Sequence, residues 1–250
     1  MRVALFVPCY VDQFYPRVAI AALTVLERLG VNVDVPDGAA CCGQPPANAG
    51  YAKQAQSTLD RFVDQYESYD RVIVLSGSCA VHVKRHADDV MVRGGARVAE
   101  CTTEFCSYLH DEIGVDRVAE LGASFNKRVA VHIGCHGLRG LGLAKPSELQ
   151  ARPFDKVRVL LAAVRGLEVA ELSRIDECCG FGGSFAVGEP DVSTKMGRDR
   201  LRDYRTHEAQ AVVSSDMSCV MHLDGIARRE NMGLPMFHVA ELIAGTAVSR

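Results

Sequence analysis

Eight of the ten cysteines recur in the same order in the two halves of this 250-residue sequence. The two quartets are Cys9, Cys41, Cys42 and Cys79 in the first half, and Cys135, Cys178, Cys179 and Cys219 in the second. The first cysteine is separated from the adjacent pair by 31 and 42 residues, and the pair from the last cysteine by 36 and 39. Four thiolates that converge on one point bind soft metals, so each quartet predicts a site for an iron–sulfur cluster or for zinc.

A glycine follows each adjacent cysteine pair, Gly43 in the first half and Gly180 in the second. Two adjacent cysteines can face one metal centre only if the backbone bends sharply, and glycine has the conformational freedom for such a bend. We therefore predict that both glycines help to bind the cofactor. In the second loop, residues 181–183 are expected to offer backbone amides to cluster sulfur.

Other roles for these cysteines must be weighed. A single cysteine at the end of a strand is more often a small buried apolar residue than a ligand, and an adjacent pair can form a strained disulfide. The recurrence of the quartet in the same order argues against both readings. Cys101 and Cys106 have no cysteine counterpart in the second half, so we assign them to packing or to the surface.

Four histidines lie near the quartets in the sequence. His136 directly follows Cys135, whereas His82 and His222 each lie three residues after the last cysteine of a quartet. A spacing of three in a helix places two side chains on one face, so histidines at these positions can reach the metal centre or its sulfurs. We predict this role for His136 and His222. We assign His82 to a helix surface or the core, and His132, inside an apolar strand, to the core.

The elements that position the cysteines alternate between short β-branched runs and amphipathic stretches. The first copy is predicted to contain strands over 3–7, 31–35 and 71–75 and helices over 16–29 and 50–68. The second copy is predicted to contain strands over 128–133, 167–172 and 211–214 and helices over 153–165 and 191–203. Further helices are expected after Ser78 and Ser218, and a helical tail at 104–105 and 241–242. This α/β alternation predicts two similar Rossmann-like parallel-sheet domains related by an internal repeat, over residues 1–120 and 121–250.

The predicted strands explain how distant cysteines could meet. Cys9, Cys79, Cys135 and Cys219 each come shortly after a strand. The carboxyl ends of parallel strands lie at one edge of a sheet, and ligands of open parallel sheets bind at that edge. Each quartet is therefore expected to gather there.

Composition excludes several classes of protein. The chain is 48% apolar and 24% charged, which is typical of a globular fold. Its 28 Lys and Arg against 31 Asp and Glu lack the basic excess of a nucleic-acid binder. No apolar run approaches the roughly 20 residues of a membrane span, and the N-terminus has no signal-peptide pattern. We therefore expect a cytoplasmic protein without membrane insertion, in which cysteines bind metal rather than form structural disulfides.

These motifs carry a family resemblance. The two Cys-Cys-Gly triplets, the Gly-Gln-Pro and Gly-Phe-Gly-Gly segments that overlap them, and the Asp-Met-Ser-Cys segment at 216–219 resemble the CCG cysteine-rich domain family. Within that family the chain looks most like the lactate utilization protein A type. The resemblance covers nearly the whole chain.

The resemblance implies a cofactor and a function. It implies one or two iron–sulfur clusters of the 4Fe–4S type, held by the cysteine quartets. It also implies an electron-transfer subunit that is not catalytic alone. Its partners would be the other subunits of an L-lactate oxidation complex, including a ferredoxin-type iron–sulfur protein, and the product would be pyruvate.

One departure from the family pattern leaves the centre open. The fuller pattern ends in Cys-x-x-Cys, but the first of these positions is Ser76 in one half and Asp216 in the other. An ordinary four-iron cluster, a cluster that uses an oxygen of Ser76 or Asp216, and zinc at one site all stay open. Two other functions also stay open: a thiol–disulfide redox enzyme similar to heterodisulfide reductase, and a zinc-stabilised assembly protein.

Overall fold

The structure is a computed structural model that describes residues 1–38, 41–87 and 94–247. The strands and helices of the first half are β1 (Val3–Phe6), α1 (Cys9–Phe14), α2 (Pro16–Arg28), β2 (Val33–Asp34), α3 (Gln44–Asn48), α4 (Ala52–Tyr66), β3 (Arg71–Val74), α5 (Gly77–His86), α6 (Gly95–Cys101), β4 (Thr102–Glu104), α7 (Phe105–Tyr108) and α8 (Val115–Ala119). A π-helical turn, Leu109–Ile113, lies between α7 and α8.

The second half repeats the order of the strands, with a shorter helix after its first strand. Its elements are β5 (Arg128–His132), α9 (Lys156–Leu161), β6 (Glu168–Val169), α10 (Ser184–Gly188), α11 (Pro190–Thr206), β7 (Ala211–Ser214), α12 (Met217–Arg229), β8 (Met236–His238) and α13 (Val239–Ala244). A π-helical turn, His136–Gly140, follows β5, and a 3-10 turn, Ser147–Leu149, precedes α9.

Two four-stranded sheets form the framework, and every strand pair in them is parallel. The strand order is β2-β1-β3-β4 in the first sheet and β6-β5-β7-β8 in the second. The register is also repeated: Phe6 of β1 lies opposite Val74, and His132 of β5 lies opposite Ser214. Phe6 and His132 thus occupy equivalent places, each three residues before the first cysteine of its quartet.

The side chains of β1 alternate between two cores because successive residues of a strand face opposite sides of the sheet. Val3 and Leu5 join a large core that also contains Val129 and Val131 of β5. Ala4 and Phe6 face a separate core of the first half, built largely from α4, α5 and β3. The large core is therefore shared by both halves, and each half has a further core on the other face of its sheet.

The halves pack against each other through equivalent helices. The buried face of α2 lies against α13, which follows the last strand of the second sheet, and α9 lies against α7, which follows the last strand of the first. In α2 this face carries Val18, Ala21, Ala22, Val25 and Leu26 at helical spacing. Each half thus covers the other with the helix that follows its own last strand.

The two sheets and their equivalent strand orders confirm the predicted fold class of two parallel α/β sheets related by a repeat. They also correct several elements. Sequence patterns missed β4 and β8, and Glu104, predicted to be helical, is the last residue of β4. The helix predicted over 153–165 spans only Lys156–Leu161. Its start is fixed by the side chain of Asp155, which accepts a hydrogen bond from the Arg158 amide.

The structure also bears on the predicted domain boundary and on the predicted lack of a membrane span. The domain boundary at residue 120 falls just after α8 and stays a prediction, because the shared core includes residues from both sides of it. Within the part of the chain that the structure describes, none of the helices combines the length and apolar character that a bilayer crossing requires.

Candidate metal centres

The first quartet comes together at the carboxyl edge of the first sheet. Cys9 begins α1 after β1, and Cys79 lies in the first turn of α5 after β3. Cys42 Sγ lies 3.1 Å from Cys79 Sγ. Cys41 is in hydrogen-bonding contact with both Cys42 and Cys9. The four sulfurs therefore form one continuous cluster, as the sequence predicts.

The second quartet forms the same cluster at the edge of the second sheet. Cys178 is in hydrogen-bonding contact with Cys135 and Cys179, and Cys179 is in contact with Cys219. Cys219 lies in the first turn of α12, as Cys79 does in α5. The two quartets therefore use equivalent positions of the repeated fold.

One thiol in each quartet is strongly acidified. The pKa of Cys41 falls to about 2 because Cys42, Cys9 and the Gly43 amide donate hydrogen bonds to its sulfur. The pKa of Cys178 also falls to about 2, through the thiols of Cys135 and Cys179 and the Gly180 amide.

The donating thiols respond in the opposite direction. The pKa values of Cys9, Cys42, Cys135 and Cys179 are raised, chiefly because each donates a hydrogen bond to an adjacent sulfur, and burial adds to the effect. A metal ion that binds four such sulfurs must therefore displace protons.

The two predicted glycines hold the bends that bring adjacent cysteines to one centre. Gly43 has φ +88° and Gly180 has φ +90°, a backbone conformation that other residues adopt at a cost. The space is also closed: a Cβ on Gly43 would lie 2.9 Å from the carbonyl oxygen of Ala55, and one on Gly180 would lie 2.6 Å from that of Ser193. Both positions thus require glycine for its conformation and for its size.

Burial divides each quartet in two. Cys42, Cys79, Cys179 and Cys219 are buried, whereas Cys9 is exposed and Cys41, Cys135 and Cys178 are half-buried. Each sulfur cluster therefore has one side inside the fold and one side that a partner can approach. Cys101 and Cys106 lie in the hydrophobic cores, which confirms their assignment to packing.

The two histidines predicted to bind the cofactor, His136 and His222, contact different parts of the protein. His222 Nε2 lies 3.3 Å from the carbonyl oxygen of Ser193, on the helix that supports the Gly180 bend. His136, although next to Cys135, directs Nε2 to within 3.4 Å of the Gln44 side-chain amide in the first half. Binding of the cofactor by His136 and His222 therefore stays a prediction.

His82 is buried, and burial lowers the pKa of its ring to about 4. Its Nε2 has no hydrogen-bond partner among the described residues, and it lies near Gly43. Of the two placements predicted for His82, a helix surface or the core, the structure confirms the core. Its free nitrogen nevertheless lies beside the first cysteine pair.

His132 belongs to the second centre, which the sequence did not indicate. It is buried, as predicted, but one of its ring nitrogens and the sulfurs of Cys179 and Cys219 all lie within 4.8 Å of one another, a spacing at which they could hold a metal ion. Burial lowers the pKa of His132 to about 3, so the ring is neutral at pH 7. A neutral imidazole and thiolates are donors that bind zinc and iron.

Ser76 and Asp216, the two residues that depart from the family pattern, bond to each other across the halves. The Ser76 hydroxyl donates to Asp216 Oδ2 at 3.2 Å, and the Ser78 amide donates to the same oxygen at 2.9 Å. Asp216 Oδ1 accepts from the amide and hydroxyl of Ser218 and from the Tyr10 hydroxyl at 3.1, 2.6 and 3.3 Å. A single buried carboxylate thus joins the starts of α5 and α12.

This carboxylate should be a major source of stability. We expect Asp216→Ala to lower the free energy of unfolding by about 3 kcal/mol or more, because it leaves the buried Ser78 amide without an acceptor and removes the other hydrogen bonds to the carboxylate. Urea denaturation of the purified chain measures the change.

Asp224→Ala in the same helix is the matched control for this prediction. Asp224 pairs with the exposed Arg228 at 2.8 Å, and such a pair contributes about 0.5 kcal/mol. An equally small effect of both substitutions would contradict the role assigned to Asp216.

The two segments that contain the quartets are also the ones that resemble a known family. A family model described as the CCG cysteine-rich domain matches residues 3–84 and 129–224, and each segment contains one quartet. The chain belongs to the CCG cysteine-rich domain family. Both copies of the CCG domain thus contain the Cys-Cys-Gly bend, the strand-end cysteine and the helix-start cysteine described above.

Relatives of this CCG protein extend over nearly its full length. It is 33% identical over 248 residues to lactate utilization protein A of Bacillus licheniformis, covering 97% of this chain and 99% of the relative. It is 34% identical to lactate utilization protein A of Geobacillus kaustophilus, covering 97% and 98%. It is 31% identical to lactate utilization protein A 1 of Bacillus mycoides, covering 97% and 96%.

Proposed function

We propose that this chain is the iron–sulfur electron-transfer subunit of a multi-protein system that oxidises L-lactate to pyruvate. The observation that carries the proposal is the pair of sulfur clusters, each with buried and accessible members. The full-length similarity to proteins named lactate utilization protein A supports lactate as the source of electrons.

The two quartets fit the proposed cofactor. Each offers four sulfurs in a continuous chain of contacts, Cys9–Cys41–Cys42–Cys79 in one half and Cys135–Cys178–Cys179–Cys219 in the other. Backbone amides already point at them: the Gly43 amide lies 3.5 Å from Cys41 Sγ, and the amides of Gly180 and Phe181 lie 3.4 and 3.5 Å from the sulfurs of Cys178 and Cys179. The cysteines would hold clusters of the 4Fe–4S type, which supply one-electron transfer when bound. The amides would stabilise the negative charge on sulfur.

The accessible sides of the quartets suit transfer to other proteins. Cys9 is exposed, and Cys41, Cys135 and Cys178 are half-buried, so a docked subunit can approach each site closely. The sequence has no Cys-x-x-Cys-x-x-Cys run of the ferredoxin type. We propose that a separate ferredoxin-type iron–sulfur protein of the same complex supplies that module, and that the complex works in the cytoplasm.

A zinc-stabilised assembly protein is the second candidate. It is favoured by one observation, the mixed set of His132, Cys179 and Cys219 at the second centre, because zinc in proteins commonly binds sulfur together with imidazole nitrogen. Zinc has no redox chemistry, so this candidate would exclude electron transfer at that site.

Electron transfer predicts a strict dependence on partners. We expect L-lactate to bleach the visible absorption of the anaerobically purified chain only when the other subunits of the complex are present. D-lactate serves as the matched control substrate. Turnover of a disulfide by the isolated chain would instead favour the enzyme similar to heterodisulfide reductase, and zinc without iron or sulfide would favour the assembly protein.

A further inference from the structure

The ring of His132 is held in one orientation beside the second quartet. Its Nδ1 shares a 2.8 Å hydrogen bond with the hydroxyl of Tyr204, and its side chain is 1% exposed. Its Nε2 is buried and has no hydrogen-bond partner among the described residues. A buried nitrogen without a partner costs free energy, so this atom requires an explanation.

The support behind His132 is itself buried and charged. The guanidinium of Arg200 lies over the Tyr204 ring, 4.7 Å from its centroid, and donates to Asp203 at 2.9 Å. Arg200 is fully buried although it is the most polar of side chains. Ligating histidines typically have their second nitrogen fixed by such a partner, which sets the direction of the first.

The first half has no equivalent nitrogen donor at this register position. Phe6 occupies the place of His132 in β1 and packs edge-on against Phe62 and Tyr66. The two quartets are alike in their cysteines but differ in this neighbour. The difference lies on the buried side of each centre, where solvent cannot supply a substitute.

We propose that His132 Nε2 is a direct ligand of the inorganic centre in the second quartet, so that the two centres of this chain have different donor sets. The first centre takes sulfur, with Phe6 as an apolar wall. The second takes sulfur and one imidazole nitrogen, with Nδ1–H donating to Tyr204. This inference rests on the proposed function only for the identity of the metal.

The difference has a consequence for electron transfer. Imidazole ligands raise the reduction potential of iron–sulfur centres relative to thiolate ligands. If both quartets hold clusters, we therefore expect two potentials, with the second centre at the higher value. In His132→Phe, the higher potential should move toward the lower one in an anaerobic redox titration.

The direct test loads the metal-free full chain with Co²⁺ and measures X-ray absorption at the cobalt edge. Wild type should show nitrogen as well as sulfur in the first coordination sphere, and His132→Phe should show sulfur without the imidazole signature. The affinity of one Co²⁺ site should fall at least about tenfold in the variant. Tyr204→Phe should weaken the same site, because it removes the partner of Nδ1.

Control variants separate ligation from folding. His110→Gln, which removes a histidine outside both quartets, should keep the nitrogen signal, because His110 Nδ1 lies 2.7 Å from Asp111 Oδ1. His222→Gln tests the rival nitrogen donor of the second half. If His132→Phe fails to fold, His132→Gln takes its place, since it retains a polar group but no imidazole. An all-sulfur sphere in wild type, or a nitrogen signal lost in His222→Gln and kept in His132→Phe, would overturn the inference.

Failure of the proposed function would look different. Iron and sulfide could be absent while Co²⁺ still binds through nitrogen, in which case the His132 ligand stands and the redox role does not. Conversely, two clusters with equal potentials and an all-sulfur cobalt sphere would leave the redox role intact and remove the ligand.

Discussion

Cys42→Ser and Cys179→Ser should each remove the metal of one half and leave the other half loaded. Both cysteines are buried and central in their quartets, since Cys42 contacts Cys41 and Cys79, and Cys179 contacts Cys178 and Cys219. Serine keeps the size of the side chain but is a poor ligand for soft metals. With both sites loaded in wild type, iron and acid-labile sulfide should fall to about half in each variant.

Cys101→Ser is the matched control for these two substitutions. Cys101 is also buried, but it lies outside both quartets and donates from sulfur to the Val98 carbonyl, a bond that a serine hydroxyl can keep. Its iron content should equal that of wild type. Metal and sulfide analysis of anaerobically purified protein measures all three variants. Unchanged iron in both Cys42→Ser and Cys179→Ser would contradict the ligand assignment.

The gathering of the cysteine quartets could be predicted because their signal is local and repeated. Each quartet combines a cysteine after one strand, an adjacent pair in a loop and a cysteine at the start of a helix, and the repeat doubles that signal. Parallel strands then bring the positions to one edge of a sheet whatever the exact ends of the helices. The sulfur clusters therefore survive the errors in β4, β8 and α9.

The role of His132 could not be predicted from the same signal. Alternation along β5 indicates only which face of the sheet a side chain occupies, and an apolar neighbourhood favours a core assignment. That assignment is correct as far as burial is concerned. The proximity of the ring to Cys179 and Cys219 depends on a loop and a helix start that are 40 or more residues away in the sequence, and no spacing rule covers them.

The pairing of Ser76 with Asp216 was missed for a related reason. The two residues are 140 positions apart, and the bond between them exists only because the halves pack with the starts of α5 and α12 side by side. Sequence alone leaves open a cluster that uses an oxygen of Ser76 or Asp216. In the fold, five donors from both halves occupy the Asp216 carboxylate, which makes it a structural link.

Substitution of Gly180 by alanine is expected to lower the free energy of unfolding strongly. Alanine there would keep φ near +90° only with strain, and its Cβ would meet the Ser193 carbonyl oxygen at 2.6 Å and Met196 Cβ at 2.8 Å. Ser193 cannot yield freely, because its hydroxyl donates to the Gly180 carbonyl at 2.8 Å and its backbone belongs to α11. Strain and overlap together predict a loss of about 2–5 kcal/mol of unfolding free energy in Gly180→Ala.

Gly30→Ala isolates the backbone part of this effect. Gly30 has a similar φ of +79° but no atom within 4 Å of the position that a Cβ would take, so its substitution should cost only about 1 kcal/mol. Urea denaturation compares the two variants, and metal analysis should show a loss from the second site in Gly180→Ala alone. Equal stabilities of the two variants would mean that the Ser193 carbonyl leaves room for a Cβ at position 180. If Gly180→Ala is as stable as wild type and binds a full complement of metal, the adjacent cysteines can reach one centre without a glycine at this bend.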